Sequence, residues 1–184
     1  IRKALVDTDV VLHFAGENRP KDSSAFEEGN SSYTQKLCML ASEQGKPPVF
    51  VHASTIRAVE NTPYGTSKRH AEQHVENYAA QTGAFAPVFR LPNVFGKWSK
   101  PNYNSAVATF CHNIARGLTV TVHDPQAKLE LVYVDDVIDA FVATAEKAAR
   151  DATVFAVTPV YTTTVGEVAA ILQKFKTDRQ ALKI

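Results

Sequence analysis

The chain has 184 residues, enough for one domain with a substantial core. A hydrophobic fraction of 45%, a charged fraction of 21% and a net charge of +1 are those of a soluble globular protein, with no broad basic field for nucleic acid or an anionic membrane. No apolar run approaches the roughly 20 residues that span a bilayer, and no signal peptide opens the chain, so a cytoplasmic location is expected. Cys38 and Cys111 have no metal or redox spacing and read as reduced core thiols, and no metal site is expected.

Residues 1–7 read as the end of a helix running into a strand. Val10 to Phe14 is a short apolar run ending at Ala15-Gly16, the pattern of a buried strand and a turn. Residues 24–44 have helical character up to Gly45, a stop signal. A second strand runs from Val49 and ends at the hydroxyls of Ser54 and Thr55. Thr62 reads as an N-cap with Pro63 at the first helical position, and that helix runs to Gly83. Residues 87–91 form a third strand. A helix over 104–116, a strand over 119–123 and an extended segment over 129–134 follow. Asp135 and Asp136 open a helix to residue 147, where their charge complements the helix dipole. A strand over 154–157 and an amphipathic helix over 164–175 complete the pattern. Strands alternating with helices predict an α/β fold with right-handed crossovers and a doubly wound parallel sheet. Ligands of such sheets sit at the carboxyl ends of the strands, where Ala15-Gly16, Ser54-Thr55 and Asn93 fall.

Tyr64 and Lys68 carry the most chemical information. They stand four apart at the start of a helix, so they share one face. A free phenol titrates near pH 10, and a neighbouring ammonium favours its ionised form. A hydroxyl from Ser54 or Thr55 completes a set suited to proton transfer with an alcohol or carbonyl while a hydride moves elsewhere. The bare spacing is weak, because most such pairs are solvated decoration on a surface helix. His70 and His74, also four apart, read as a polar helix face, since no third ligand accompanies them. No glycine-rich dinucleotide turn occurs among the 8 glycines. The expectation is therefore a Rossmann-like sheet lacking its first β-α-β unit, a chain that by itself binds a dinucleotide weakly or not at all.

Together these segments resemble the extended short-chain dehydrogenase/reductase (NAD-dependent epimerase/dehydratase) family over nearly the whole chain. The matching segments are His13-Phe14-Ala15-Gly16, Asn30, Ser54-Thr55 with Tyr64 and Lys68, Arg90-Leu91-Pro92-Asn93-Val94-Phe95-Gly96, and Tyr133-Val134-Asp135-Asp136-Val137. The resemblance implies Thr55, Tyr64 and Lys68 as catalytic residues. It implies Phe14, Ala15, Gly16, Ser54, Tyr64, Lys68, Leu91 and Pro92 beside an NADPH or NADH cofactor, and Asn30 as a support of the site. A narrower resemblance is to bacterial capsule and O-antigen 4-ketoreductases of the N-acetyl-L-fucosamine pathway. It is carried by Leu91 to Trp98, Pro101-Asn102-Tyr103-Asn104-Ser105, Ala108 to Cys111 and Lys174-Phe175-Lys176. In those proteins a cupin domain follows the reductase domain.

The narrower resemblance implies a UDP-linked 6-deoxy-4-keto-N-acetylhexosamine as substrate, contacted by Asn93, Asn104, Ser105 and Lys128. Many relatives place a phosphate-reading arginine where Leu129 stands here, with Lys128 beside it. The family's dehydratases carry an Asp-Glu pair after the catalytic threonine. Ile56-Arg57 stands there in this chain, which argues against elimination. A 4-epimerase and a non-catalytic dinucleotide-binding sensor remain as alternatives. The family's two long helices, here residues 24–44 and 63–82, imply a homodimer, with Ala71, Val75, Tyr78 and Ala79 as an apolar stripe.

Overall fold

The computed structural model describes residues 1–146 and 154–181. The chain opens with a short helix, α1 (Arg2–Leu5), and a strand, β1 (Val10–His13). The helix expected over 24–44 is interrupted: α2 (Ser24–Phe26) enters a π-helix, Glu27–Ser32, before regular α3 (Tyr33–Ser42). That extra-wide turn contains Asn30, and such turns often mark functional sites. Apolar spacing alone does not reveal it, because a π-turn shifts the helix face without changing residue type. Gly45 lies beyond the end of α3 and does not cap it.

β2 (Val49–Thr55) follows, then a 3-10 turn, Ile56–Val59, and α4 (Pro63–Thr82). The α4 boundaries obey their sequence signals. The Thr62 hydroxyl accepts from Gly65 N at 3.0 Å, Pro63 occupies a position whose N–H would be unpaired anyway, and Gly83 closes the helix at φ 69°. Next come β3 (Val88–Leu91), β4 (Asn93–Phe95), α5 (Ala106–Ala115) and β5 (Lys128–Tyr133). The remaining elements are α6 (Val134–Glu146), β6 (Val154–Phe155), β7 (Tyr161–Thr164) and α7 (Val165–Gln180). Residue 147, the expected end of α6, lies outside the described residues.

The chain divides into two compact units, Ile1–Leu91 with Ile138–Val157, and Pro92–Val137 with Thr158–Ile184. The first holds the expected parallel sheet, in the order β1-β2-β3-β6. Helices α3 and α4 share its core, where Leu37, Leu40, Phe50, Val75, Tyr78 and Val88 pack together. Each fully buried side chain of that size contributes about 1.5–3 kcal/mol. Ala71, Val75 and Tyr78 are thus consumed by the chain's own core and do not form an outward stripe. The Tyr78 hydroxyl is satisfied there by donating to Pro48 O at 2.6 Å. Phe141 of α6 stacks on Phe89, centroids 4.3 Å apart, and on Phe14 at 5.1 Å.

The second unit has its own three-stranded sheet, β4-β5-β7, with β5 and β7 antiparallel. Phe110 and Ile114 of α5, Leu131 and Val168 of α7 form its core. The strand expected over 119–123 does not form. Val120 and Val122 alternate inward onto this core, so the period-2 pattern records burial without a backbone ladder. The sequence does not announce β4, which follows β3 across Pro92 alone, or β7, whose residues Tyr161-Thr162-Thr163-Thr164 carry no apolar alternation. β7 also runs directly into Thr164, the N-cap of α7, which makes a capping box with Glu167. Among the described residues no helix is long and apolar enough to cross a membrane.

Candidate active site

Strand β2 delivers Thr55 at its carboxyl end, and the first turn of α4 delivers Tyr64 beside it. The Thr55 hydroxyl is near enough to the phenol to favour its ionised form. Gly65 makes that proximity possible. A Cβ at Gly65 would stand 2.5 Å from Arg57 O and 2.6 Å from Glu60 O, so only glycine lets α4 start against the 3-10 turn. Thr55 is held in turn, its Oγ1 accepting from Arg57 N at 3.2 Å. The Tyr64 ring lies 5.6 Å from the Phe26 ring, and the Arg57 guanidinium carbon is 5.9 Å from its centroid.

Burial pushes the Tyr64 phenol above its ordinary value, while the Thr55 hydrogen bond and the Arg57 charge pull it down. The expectation that Lys68 lowers it is not met. Among the described residues Thr55 and Arg57 pull the phenol down, while the Lys68 ammonium donates to Ala53 O at 2.7 Å. Sharing a helix face brings two side chains to one side, but it does not decide where their polar ends point. Lys68 is only 6% exposed, and burial pulls its ammonium down to about 8 against the opposing charge of Glu72.

Asn30 knits the site's supports together. Its Oδ1 accepts from Glu17 N at 2.8 Å, while its Nδ2 donates to Glu17 O at 3.1 Å and to Ser67 Oγ at 3.0 Å. Ser67 Oγ donates to Tyr64 O at 2.8 Å. One buried amide thus ties the loop after β1 to the first turn of α4. In that loop Phe14, Ala15 and Gly16 are exposed at the carboxyl end of β1, where ligands of parallel sheets sit.

Ser54 goes elsewhere. Successive strand residues face opposite ways, so while Thr55 meets Tyr64 the Ser54 hydroxyl donates to Glu72 Oε1. The expected contact from its side chain is thereby engaged in a buried cluster. Glu72 also accepts from Arg90 Nε at 3.0 Å and from a terminal Arg90 nitrogen at 2.7 Å. Sequence reasoning missed Glu72, although its signal was present: Tyr64, Lys68 and Glu72 recur every four residues. Leu91 is buried opposite Thr55 in the sheet register.

The predicted substrate-contacting residues belong to the second unit. Asn93 Nδ2 donates to Glu130 O at 3.2 Å, binding β4 to β5. Ser105 is the N-cap of α5, its Oγ accepting from Ala108 N at 3.2 Å. Asn104 and Lys128 are exposed, and Leu129 packs on the unit's core. His70 pairs with Glu27, and His74 with Ser31.

A nicotinamide dinucleotide is compatible with the first unit's residues. The Lys68 ammonium carries three donors and gives one to Ala53 O. It also lies 3.9 Å from the point a Cβ on Gly16 would occupy, beside an exposed loop that presents little side chain.

Comparison with known proteins places this geometry. The chain is 42% identical over 174 residues to a Pseudomonas aeruginosa protein named UDP-2-acetamido-2,6-beta-L-arabino-hexul-4-ose reductase, covering 95% of this chain and 47% of that protein. It superposes on capsular polysaccharide assembling protein CapF from Staphylococcus aureus with a TM-score of 0.85 and 37% identity, covering 97% of this chain and 47% of that one. UDP-glucuronic acid 4-epimerase from Bacillus cereus shares the fold, with a TM-score of 0.84 at 22% identity, over 96% of this chain and 62% of that one. The chain spans about half the length of the first two. A model of the NAD dependent epimerase/dehydratase family matches residues 1–157, and the chain belongs to that family.

Proposed function

We propose that the polypeptide carrying this chain is an NAD(P)H-dependent reductase of a UDP-linked 6-deoxy-4-keto-N-acetylhexosamine, in capsule or O-antigen nucleotide-sugar synthesis. The observation that carries this reading is the 42% identity over 174 residues to a reductase of such a sugar. The neighbouring hydroxyls of Thr55 and Tyr64 supply a fitting chemistry.

A bound nicotinamide would supply the hydride. Tyr64 Oη donates the proton to the C4 oxygen as it becomes an alkoxide, and its raised affinity for that proton keeps it in the acid form at neutral pH. Thr55 donates a hydrogen bond to the same oxygen, which stabilises the developing charge. Lys68 would hold the ribose hydroxyls with the donors that Ala53 O leaves over. Asn30 fixes the loop of Phe14, Ala15 and Gly16, and that loop, Leu91 and Pro92 would hold the cofactor. Asn93, Asn104, Ser105 and Lys128 serve the UDP-sugar, Lys128 as the cation for its diphosphate.

NADPH is the expected coenzyme, and the cytoplasm the expected location. A homodimer through α3 and α4 is part of the same reading. Its support is a groove of about 360 Å³ along those helices, lined by Lys36, Met39, His74 and Gln81 among others. A cupin domain in the longer polypeptide completes it. Following NADPH absorbance with a UDP-4-keto sugar tests the activity. Stoichiometric oxidation with formation of the C4 alcohol is the expected result. With a UDP-sugar that carries a C4 hydroxyl as substrate, inversion at C4 with no net coenzyme consumption would assign a 4-epimerase instead.

A further inference from the structure

Behind Lys68 lies a polar cluster that proton transfer does not itself use. Glu72 stands one helical turn along α4 from Lys68 and is 3% exposed. Its carboxylate accepts the Ser54 hydroxyl from the end of β2 and both arms of the Arg90 fork from β3. A buried carboxylate is costly unless its lone pairs are satisfied, and here three donors fix it in one place. Ser54 directly follows Ala53, whose carbonyl receives the Lys68 ammonium.

We infer that Glu72 is a positioning residue for Lys68, its carboxylate braced by Ser54 and Arg90 so that a fixed negative charge keeps the buried amine cationic at the carboxyl end of β2. The inference rests on the ribose-gripping role proposed for Lys68, since a neutral amine has one donor fewer and no charge to give. The charged and titratable groups around Lys68 are few. His13 on β1 and His52 on β2 are both held neutral by burial, and each feels the Lys68 charge. Tyr64 shares α4, and Arg90 on β3 pairs with Glu72. Among the described residues Glu72 is the group that opposes the loss of the Lys68 proton to burial.

A purely structural brace and a charge device make different predictions for the two halves of the Arg90–Glu72 pair. If the cluster only ties β2, β3 and α4 together, Glu72→Gln and Arg90→Met loosen the same joint and change Lys68 alike. If Glu72 acts by its charge, the first removes the anion that holds the proton. The second removes a competing cation, and the anion, still held by the Ser54 hydroxyl, has the Lys68 ammonium as its remaining counter-charge. The Lys68 side-chain nitrogen can be followed by NMR in the lysine-labelled 184-residue chain, assigned by its absence in Lys68→Met. Glu72→Gln should lower the Lys68 titration midpoint by about one pH unit or more, and Arg90→Met should raise it. Midpoints that stay put, or that move in the same direction, would overturn the inference. Should Glu72→Gln fail to fold, a folded Arg90→Met whose midpoint is unchanged or lower would overturn it equally. The titration needs no coenzyme or sugar, so its outcome is independent of whether the reductase reading holds.

Discussion

Gly16 stands so close to Asn30 that a methyl group on its Cα would meet Asn30 Oδ1 at 2.8 Å. The backbone of Gly16 is outside the left-handed region, so the constraint there is steric and not conformational. Asn30 cannot swing aside cheaply, because the same oxygen accepts from Glu17 N and its amide nitrogen holds Glu17 O and Ser67.

Gly16→Ala should therefore destabilise the chain by about 1–3 kcal/mol, as overpacking a tight site does. Urea unfolding of the two proteins measures it, and equal midpoints would show that Asn30 yields. Asn30→Ala relieves the clash but strands Glu17 N and Ser67. The double variant should then cost less than the sum of the two single changes.

Gly65 is the stricter case. Its missing Cβ faces backbone carbonyls of Arg57 and Glu60, not the flexible end of a side chain. Gly65→Ala must push the first turn of α4 away from the 3-10 turn, and Tyr64 moves with it. A displacement near 1 Å is enough to cost roughly 10²-fold in rate. Loss of activity should exceed what the loss of stability explains, read as turnover at a temperature where the variant is still folded. Full activity in a folded Gly65→Ala protein would remove this constraint from the site.

Much of this was legible in the sequence because it is written in local rules. The α4 start at Thr62 and Pro63, its stop at Gly83 and the β-α alternation each rest on a few adjacent residues. Tyr64 and Thr55 were placed together because strand ends and helix starts converge in a parallel sheet. What was not legible depends on contacts across the chain. The π-turn at Asn30 exists to aim an amide at Glu17 and Ser67, partners 13 and 37 residues away. Ser54 and Thr55 look equivalent in sequence, and only the pleat separates them. The Val120 and Val122 alternation looked like a strand, since burial and pairing leave the same periodic mark.

Tyr64→Phe tests the proton donor directly. The ring packs against Phe26, so its removal is unnecessary and only the hydroxyl is lost. In the polypeptide that turns over sugar nucleotide, the rate should fall by about 10²–10⁴ while coenzyme binding persists. Turnover within a factor of three of the parent protein would reassign the donor, with Thr55 the next hydroxyl in reach.

The last prediction concerns acid. His13 and His52 lie side by side in β1 and β2, ring centroids 5.1 Å apart. His13 Nε2 is 2.8 Å from Thr34 Oγ1, which itself donates to Asn30 O, so the imidazole must be the donor in that contact. Neither ring nitrogen of His52 has a hydrogen-bond partner. Burial, aided by the Lys68 charge, pulls His13 down to about 4 and His52 well below its ordinary value. Both are neutral in the folded chain, whereas in the unfolded chain they take up protons near pH 6.5. The unfolded state therefore binds more protons in this window, and stability falls as pH drops from 6.5 towards 4. His13 alone should remove about 2 kcal/mol between pH 7.5 and pH 5, and His52 adds a loss of the same sign. His52→Leu gives up no hydrogen bond, so it should hold or raise stability at pH 7.5 and flatten the acid side of the profile. Urea midpoints across that range decide it: a parent chain equally stable at both ends, or a His52→Leu profile as steep as the parent's, would rule this origin out.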